Sequence, residues 1–463
     1  MSHSRRAFLQ RTMCGALGAA AFTSGLQRFG MINALAQSQT AAATDYRALV
    51  CIFLFGGNDA NNMVIPYDGY ADYSKVRGVA GTSGSIAIAQ SALLQIAPPS
   101  GQGIKYGLHP NLPELQGLFN GGKLAVMNNV GTLVGPVTRA QYLSNAARPY
   151  NLFSHADQQT QWQTSISASP SATGWAGRTA DRTKSLNGAT SFPMIVSVAG
   201  ASIFTNGVQT YPIALTPNQP FGLQGFDQKS TNAIVAARYN AVQQLLTTDR
   251  DTSLVDSASN LTSQAIGNSE ILNAAFKSAS TLQTVFPITG LGNEMKQIAQ
   301  IIAARNSLGL KRQIFFCSLG GFDTHNNELA THVNLYTQLS KAMKAFYDAT
   351  VELGVAGNVT TFTQSDFGRT FKPAAGGGSD HAWGSHHMVM GDAVRGGDFY
   401  GKYPTLALAG PNDSGSEGRW IPTSSVDQYA ATLASWYGLA PADLPLVFPS
   451  IGRFDSSNLG FMG

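Results

Sequence analysis

The 463-residue chain is long enough for one large α/β unit with insertions. With 49 glycines and only 12% charged residues, it reads as tight loops around few solvated helices. Residues 1–36 hold four arginines and no Asp or Glu, so the rest of the chain is balanced in charge, which excludes a basic nucleic-acid-binding surface.

The first segment reads as an address. Ser4-Arg5-Arg6-Ala7-Phe8-Leu9-Gln10 precedes an apolar, small-residue run from Cys14 to Leu26, and Ala34-Leu35-Ala36 offers a cleavage site before Gln37. That order matches a twin-arginine export signal. The expected partner is the twin-arginine export machinery, and the expected location is periplasmic or secreted. No later stretch reaches the roughly 18 continuous apolar residues of a membrane span, so no transmembrane segment is expected. The remainder, 37–463, is expected to form one domain.

The apolar run Ala48–Phe55 predicts a strand buried on both faces of a parallel sheet. It ends at Gly56-Gly57-Asn58-Asp59, which delivers a carboxylate at the strand's carboxyl end. Residues 67–100, rich in Gly, Ser, Ala and Tyr, read as surface loop. His109-Pro110 opens a helix that Gly121-Gly122 stops, and Lys123–Met127 is a second short strand. Ser154 stands where a helix carrying Gln158 to Trp162 begins, and on propensity alone it is an N-cap. Pro193–Val198 predicts a third strand. Residues 228–310 turn helical and mostly polar, with Ala233-Ile234-Ala236-Ala237 and Ile298-Ile301-Ile302 as the better apolar stripes.

The densest chemistry lies between Gln313 and His387. The apolar run Gln313–Leu319 breaks at Gly320-Gly321 and presents Phe322-Asp323-Thr324-His325. A helix follows, with Leu335, Leu339, Ala342, Phe346 and Leu353 at helical spacing. The strand-like Asn358–Thr363 then leads into Ser365-Asp366-Phe367-Gly368-Arg369. After Ala374–Ser379 come Asp380-His381 and His386-His387, and five of the chain's eight histidines fall between His325 and His387. Strand, acidic loop, helix, strand, acidic loop is the layout of an open α/β sheet, which binds ligands beyond the carboxyl ends of its strands. Imidazoles and carboxylates meeting there suit a transition metal. Cys51 and Cys317, both in apolar runs, read as buried thiols, or as a bridge if neighbouring strands bring them together.

Gly56-Gly57-Asn58-Asp59, Phe322-Asp323-Thr324-His325, Ser365-Asp366-Phe367-Gly368-Arg369-Thr370 and Asp380-His381-Ala382-Trp383-Gly384-Ser385-His386-His387 together resemble the domain-of-unknown-function 1501 family. That family is similar to the alkaline phosphatase–sulfatase superfamily. The resemblance implies a single α/β three-layer sandwich with a mainly parallel central sheet and helices on both faces. It further implies hydrolysis of phosphate or sulfate esters, small or polymeric, at a site of one or two divalent ions, zinc or manganese by the imidazole content. By the same resemblance Ser154 is the nucleophile and Arg369 an anion-stabilising cation or a salt-bridge partner. Asp59, Asp323, His325, Asp366, Asp380, His381 and His386 are the metal ligands. Phe367 stands where the superfamily carries a histidine, and no Cys-x-Pro-x-Arg or Ser-x-Pro-x-Arg element is present. The resemblance therefore also admits a non-catalytic binding or assembly protein of the same descent.

Overall fold

Nine strands build the central sheet. The structure, a computed structural model, describes residues 43–463 except 220, 227 and 249, so the leader and its cleavage site lie outside the described residues. The strands are β1 (Arg47–Phe55), β5 (Leu124–Gly131), β6 (Ile195–Ser197), β7 (Ile213–Ala214), β8 (Arg312–Gly320), β9 (Val359–Ser365), β10 (Ser385–Met390), β11 (Phe399–Tyr400) and β12 (Ser424–Ser425). Their order is β11-β5-β10-β9-β1-β8-β6-β7, with β12 also on β5. All neighbours are parallel except β10, which runs antiparallel to β5 and β9. A separate small sheet orders β2 (Val64–Pro66), β4 (Tyr106–Leu108) and β3 (Leu94–Ile96) as β2-β4-β3.

The chain is thus a mixed α/β fold with a large, mainly parallel sheet between helical layers. β1 lies at its centre between β8 and β9, and Ala48 to Leu54 are wholly buried, as an uninterrupted apolar strand requires. One face carries Trp175 and Tyr429, from the helices Trp175–Thr183 and Val426–Tyr437, against Phe362. The other carries the helices Gly290–Ala303 and Glu328–Glu352. Glu328–Glu352 buries Leu335, Leu339, Ala342 and Phe346, and Gly290–Ala303 buries Ile298, Ile301 and Ile302. The helix Ala233–Thr247 differs: none of its side chains is buried, so its apolar stripe does not join the core.

Three local features go beyond the sequence reading. Residues 67–100 are not simply surface loop: Tyr73, Arg77, Ala87, Ile88 and Leu93 are buried, and the four apolar ones pack in a cluster with Ile65, Phe371 and Trp420. His386 and His387 sit on β10, where the pairing with β5 shifts register. Cys51 pairs in register with Phe316, and Ile52 with Cys317. Side chains alternate across a strand, so the two thiols lie on opposite faces of the sheet and both are free.

Candidate metal centre

The strands β1, β8 and β9 run parallel, so the segments that follow them emerge at one edge. There the chain brings together Asp323 and His325 after β8, Asp366 after β9, Asp380 and His381 from the next loop, and His155 from the start of the helix His155–Thr164. Two glycines permit the approach. Gly56 and Gly57 have φ of +112° and +83°. A Cβ on Gly56 would stand 2.3 Å from the Asp323 amide nitrogen, and one on Gly57 would stand 2.5 Å from the Phe367 ring.

Three imidazoles meet one carboxylate oxygen. Asp323 Oδ1 lies 3.4 Å from His155 Nε2, 3.0 Å from His325 Nε2 and 3.3 Å from His381 Nε2. His381 Nε2 is in turn 3.0 Å from both His155 Nε2 and His325 Nε2. Each ring is fixed from behind. His155 Nδ1 donates to Asp366 Oδ2 at 2.6 Å, His325 Nδ1 to Asp380 Oδ1 at 3.0 Å, and His381 Nδ1 to the Phe153 carbonyl at 2.8 Å. Carboxylates and carbonyls only accept, so in each case Nδ1 carries the proton. With the rings neutral, every Nε2 is a bare lone pair and no proton remains for either Nε2···Nε2 contact. A shared cation supplies what these contacts lack.

The spacing fits such an ion. Two ligand atoms each about 2.1 Å from a metal, at angles of about 90–109°, stand about 3.0–3.4 Å apart. The ligand atoms of His155, Asp323 and His381 all lie within 4.8 Å of one another, and His325 Nε2 lies 3.0 Å from those of the last two.

The surrounding charges pull in different directions: those at Asp323 and His381 favour a carboxylate and a neutral ring, whereas Asp366 favours the imidazolium of His155, whose Nε2 proton an ion would have to displace. Burial would raise the Asp323 carboxyl, but the Arg369 guanidinium at 2.8 Å and the imidazoles hold it below the usual range. His155 is raised by its bond to the Asp366 carboxylate, and burial lowers His381. Phe367, in place of an imidazole, packs its ring 4.7 Å from His155 and 4.8 Å from His381 and braces both.

The residues expected as ligands divide. Asp366 and Asp380 spend oxygens on imidazole Nδ1 atoms, so they orient ligands instead of lying in the ligand group. Asp366 Oδ2 also takes Gln159 Nε2 at 2.7 Å, and its Oδ1 takes the Gly56 amide at 3.1 Å. Asp59 and His386 are not brought to the centre. Both Asp59 oxygens are taken by buried Arg77, at 2.5 and 2.9 Å. His386 Nδ1 accepts the Asn129 amide and its ring stacks on Tyr403, while burial holds its pKa down to about 3. Arg369 is fully buried with its donors on Asp323, Gly56 O, Ser379 O and Ser379 Oγ. Four of its five N–H groups are engaged, and of its two expected roles the salt bridge is the one observed.

His155 belongs to none of the sequence motifs, and the helix start singles out its neighbour Ser154. A histidine at the first position of a helix beside a catalytic candidate was the available signal. Ser154 itself makes no capping bond to the helix amides; its hydroxyl donates to Asp157 Oδ2 at 2.6 Å. Phe153, just before it, has φ +70°, a strained conformation for a non-glycine residue. That twist accompanies the hydrogen bond between its carbonyl and His381 Nδ1.

A second cluster of ligand-type residues, Asp59, Glu328 and His332, is wholly buried. The Arg77 guanidinium already lies among them, on Asp59 and 3.6 Å from Glu328 Oε1. Fixed positive charge there opposes a further cation, so this cluster does not fit a metal.

Residues 46–414 match the family described as "Protein of unknown function (DUF1501)", and the chain belongs to that family. No curated protein matches it. Among solved structures, the chain is similar to Ps i-CgsB in complex with k-i-k-neocarrahexaose (9% identity, 87% of this chain and 74% of that one, TM-score 0.35). It is also similar to the PsFucS1 sulfatase from Pseudoalteromonas sp. (10% identity, 78% and 65%, TM-score 0.29). A third likeness is to the lipoteichoic acid synthase LtaP from Listeria monocytogenes (8% identity, 82% and 75%, TM-score 0.30). No helix among the described residues is long and apolar enough to cross a membrane.

Proposed function

We propose that the chain is an exported, metal-dependent hydrolase of phosphate or sulfate esters. One divalent ion, zinc or manganese, is held by His155, Asp323 and His381, with His325 beside them. The observation that carries the reading is the set of three Nδ1-anchored rings whose Nε2 atoms crowd Asp323 Oδ1. Acceptors behind metal-binding imidazoles fix tautomer and direction in this way. Export rests on the Arg5-Arg6 leader and the Ala34-Leu35-Ala36 site.

When bound, the ion supplies positive charge to an anionic ester and to the oxygen that departs. Ser154 is the nucleophile of this proposal. Its Oγ forms the new bond to phosphorus or sulfur as the ester oxygen leaves and takes up a proton from solvent, while the serine proton passes to Asp157 Oδ2, to which it already donates; water then cleaves the serine ester, restoring the Ser154 hydroxyl and releasing phosphate or sulfate. Because Ser154 does not cap its helix, the first-turn amides remain without a side-chain partner and favour an anionic group. Arg419 provides a guanidinium at the rim: it donates to the His381 carbonyl at 2.8 Å, packs over Phe153 at 5.2 Å and is partly exposed.

The test joins metal analysis of protein purified without chelator to an ester panel. Bound zinc or manganese, ester turnover, and loss of turnover but not of metal in Ser154→Ala are the expected results. A wild type that binds no ion by calorimetry and turns over no phosphate or sulfate ester at saturating metal would leave a secreted binding protein as the reading.

A further inference from the structure

Every ligand of the centre except His155 comes from one of two loops, residues 322–327 and 374–381. The loops touch through their backbones: the Ser379 amide donates to the Thr324 carbonyl at 3.0 Å, and the Glu328 amide to the Gly377 carbonyl at 3.1 Å. One side chain then grips both. Glu328 opens the helix Glu328–Glu352 and is 0% exposed. Its Oε2 accepts from Thr324 Oγ1 at 3.1 Å and from Ser379 Oγ. Thr324 stands between Asp323 and His325, and Ser379 directly precedes Asp380-His381.

We propose that Glu328 is a positioning residue for the metal centre, a buried clasp that sets the two ligand loops against each other through Thr324 and Ser379. The inference rests on the metal-centre reading above.

The cost of the arrangement argues that it does more than fill space. A carboxyl group buried beside the Asp59 carboxylate is unfavourable unless compensated. The compensation is elaborate: Arg77 bridges toward both acids, and the Glu328 carboxyl bonds to the Asp59 carboxylate. An apolar residue would fill the same volume without that expense, but it could not accept from two hydroxyls at once. Arg369 reinforces the arrangement from the other side, since it donates to Ser379 and to the ligand Asp323. A shift of a few tenths of an ångström between the loops would move His381 relative to Asp323 and His325. Residues that hold metal ligands in this way typically account for about 10–100-fold in ion affinity.

The experiment measures Mn2+ or Zn2+ affinity by calorimetry and the visible spectrum of the Co2+-loaded protein. The variants are Glu328→Gln, Glu328→Ala, Thr324→Val and Thr324→Val in the Glu328→Ala background. The amide oxygen of Glu328→Gln can still accept from both hydroxyls, so this variant should bind like the wild type. Glu328→Ala should bind about 10–100-fold more weakly and alter the Co2+ band. Thr324→Val should lose about 3–10-fold alone and nothing further in the Glu328→Ala background, because both act through one contact. If Glu328→Ala does not fold, Thr324→Val and Ser379→Ala read the same contact with Glu328 in place, each weakening binding. Wild-type affinity and spectrum in Thr324→Val and Ser379→Ala, or full additivity in the double variant, overturns the clasp while the centre stands. A wild type that binds no ion overturns the metal reading itself, a separate outcome visible before any variant is made.

Discussion

Two groups of histidines and carboxylates lie within one fold, and they behave in opposite ways. At the sheet edge, His155, Asp323, His325 and His381 are partly exposed, and their ligand atoms face one another with no proton to share. Beneath it, Asp59, Glu328 and His332 are sealed from solvent around Arg77. Residue types alone do not separate the two. What separates them is whether a fixed cation holds both carboxylate oxygens, as Arg77 does on Asp59, or only one, as Arg369 does on Asp323, and whether the back of each imidazole is tied down. Arg77 does in the interior what a metal ion is proposed to do at the edge, and it does so permanently.

The largest effect expected on this comparison comes from Arg77→Met, which leaves Asp59 buried and unpaired. Unfolding by denaturant should show a loss of about 3–5 kcal/mol, with little change in ion content per folded chain. A loss under about 1 kcal/mol would put the network in the same class as a surface pair.

His381→Ala should do the reverse. Ion affinity by calorimetry falls by about 100-fold or more, since the ring that touches both other imidazoles is gone. Denaturant stability of the metal-free chain changes little, because the side chain is 26% exposed. Asp366→Asn comes next. The amide no longer enforces a proton on His155 Nδ1, and affinity should drop by about 10-fold with the ligand set otherwise intact.

The smallest effect sharpens the electrostatic half of the comparison. Asp427 is as buried as Asp59 but has no guanidinium bonded to it; its side-chain partners are the hydroxyls of Ser425 and Ser165. Burial pushes its pKa up to about 7, whereas Asp59 is lowered because Arg77 outweighs its burial. A raised carboxyl binds its proton in the folded chain where the unfolded chain has lost it. Its contribution to stability is therefore greatest below the ordinary carboxylate range and declines as pH rises toward about 7. Asp427→Asn should flatten that decline, a difference of roughly 1–3 kcal/mol between pH 4 and pH 8. An unchanged pH profile would mean that Asp427 is not protonated in the fold.

The main sheet was legible because β1 and β8 carry apolar runs and β9 is rich in β-branched residues. β10 was not, since Ser385-His386-His387 offers no apolar run; its two imidazoles are tolerated inside because they stack on Tyr403 and Tyr429 and stay neutral. The region 67–100 hid its burial in elements of three to eight residues, too short for a periodicity to emerge. At the site, the motifs that end β8 and β9 located Asp323, His325 and Asp366. No local pattern could reveal that Arg77 would reach Asp59, because that pairing is made by tertiary packing and removes Asp59 from the edge. Ser154 and His155 differ for a related reason: helix-start grammar draws the eye to the serine, and only the geometry of Asp366 and His381 singles out the histidine.

The placement of Cys51 and Cys317 on opposite faces of β1 and β8 turns the pair into two independent clocks. Cys51 faces the layer that holds Tyr429, and Cys317 faces the layer that holds Glu294. With Cys14 replaced by serine, a thiol reagent reaches either sulfur only when its own layer lifts away from the sheet. Equal labelling rates in mild denaturant would mean that the sandwich opens in a single event. Unequal rates would name the layer that peels first and give the order in which this architecture comes apart.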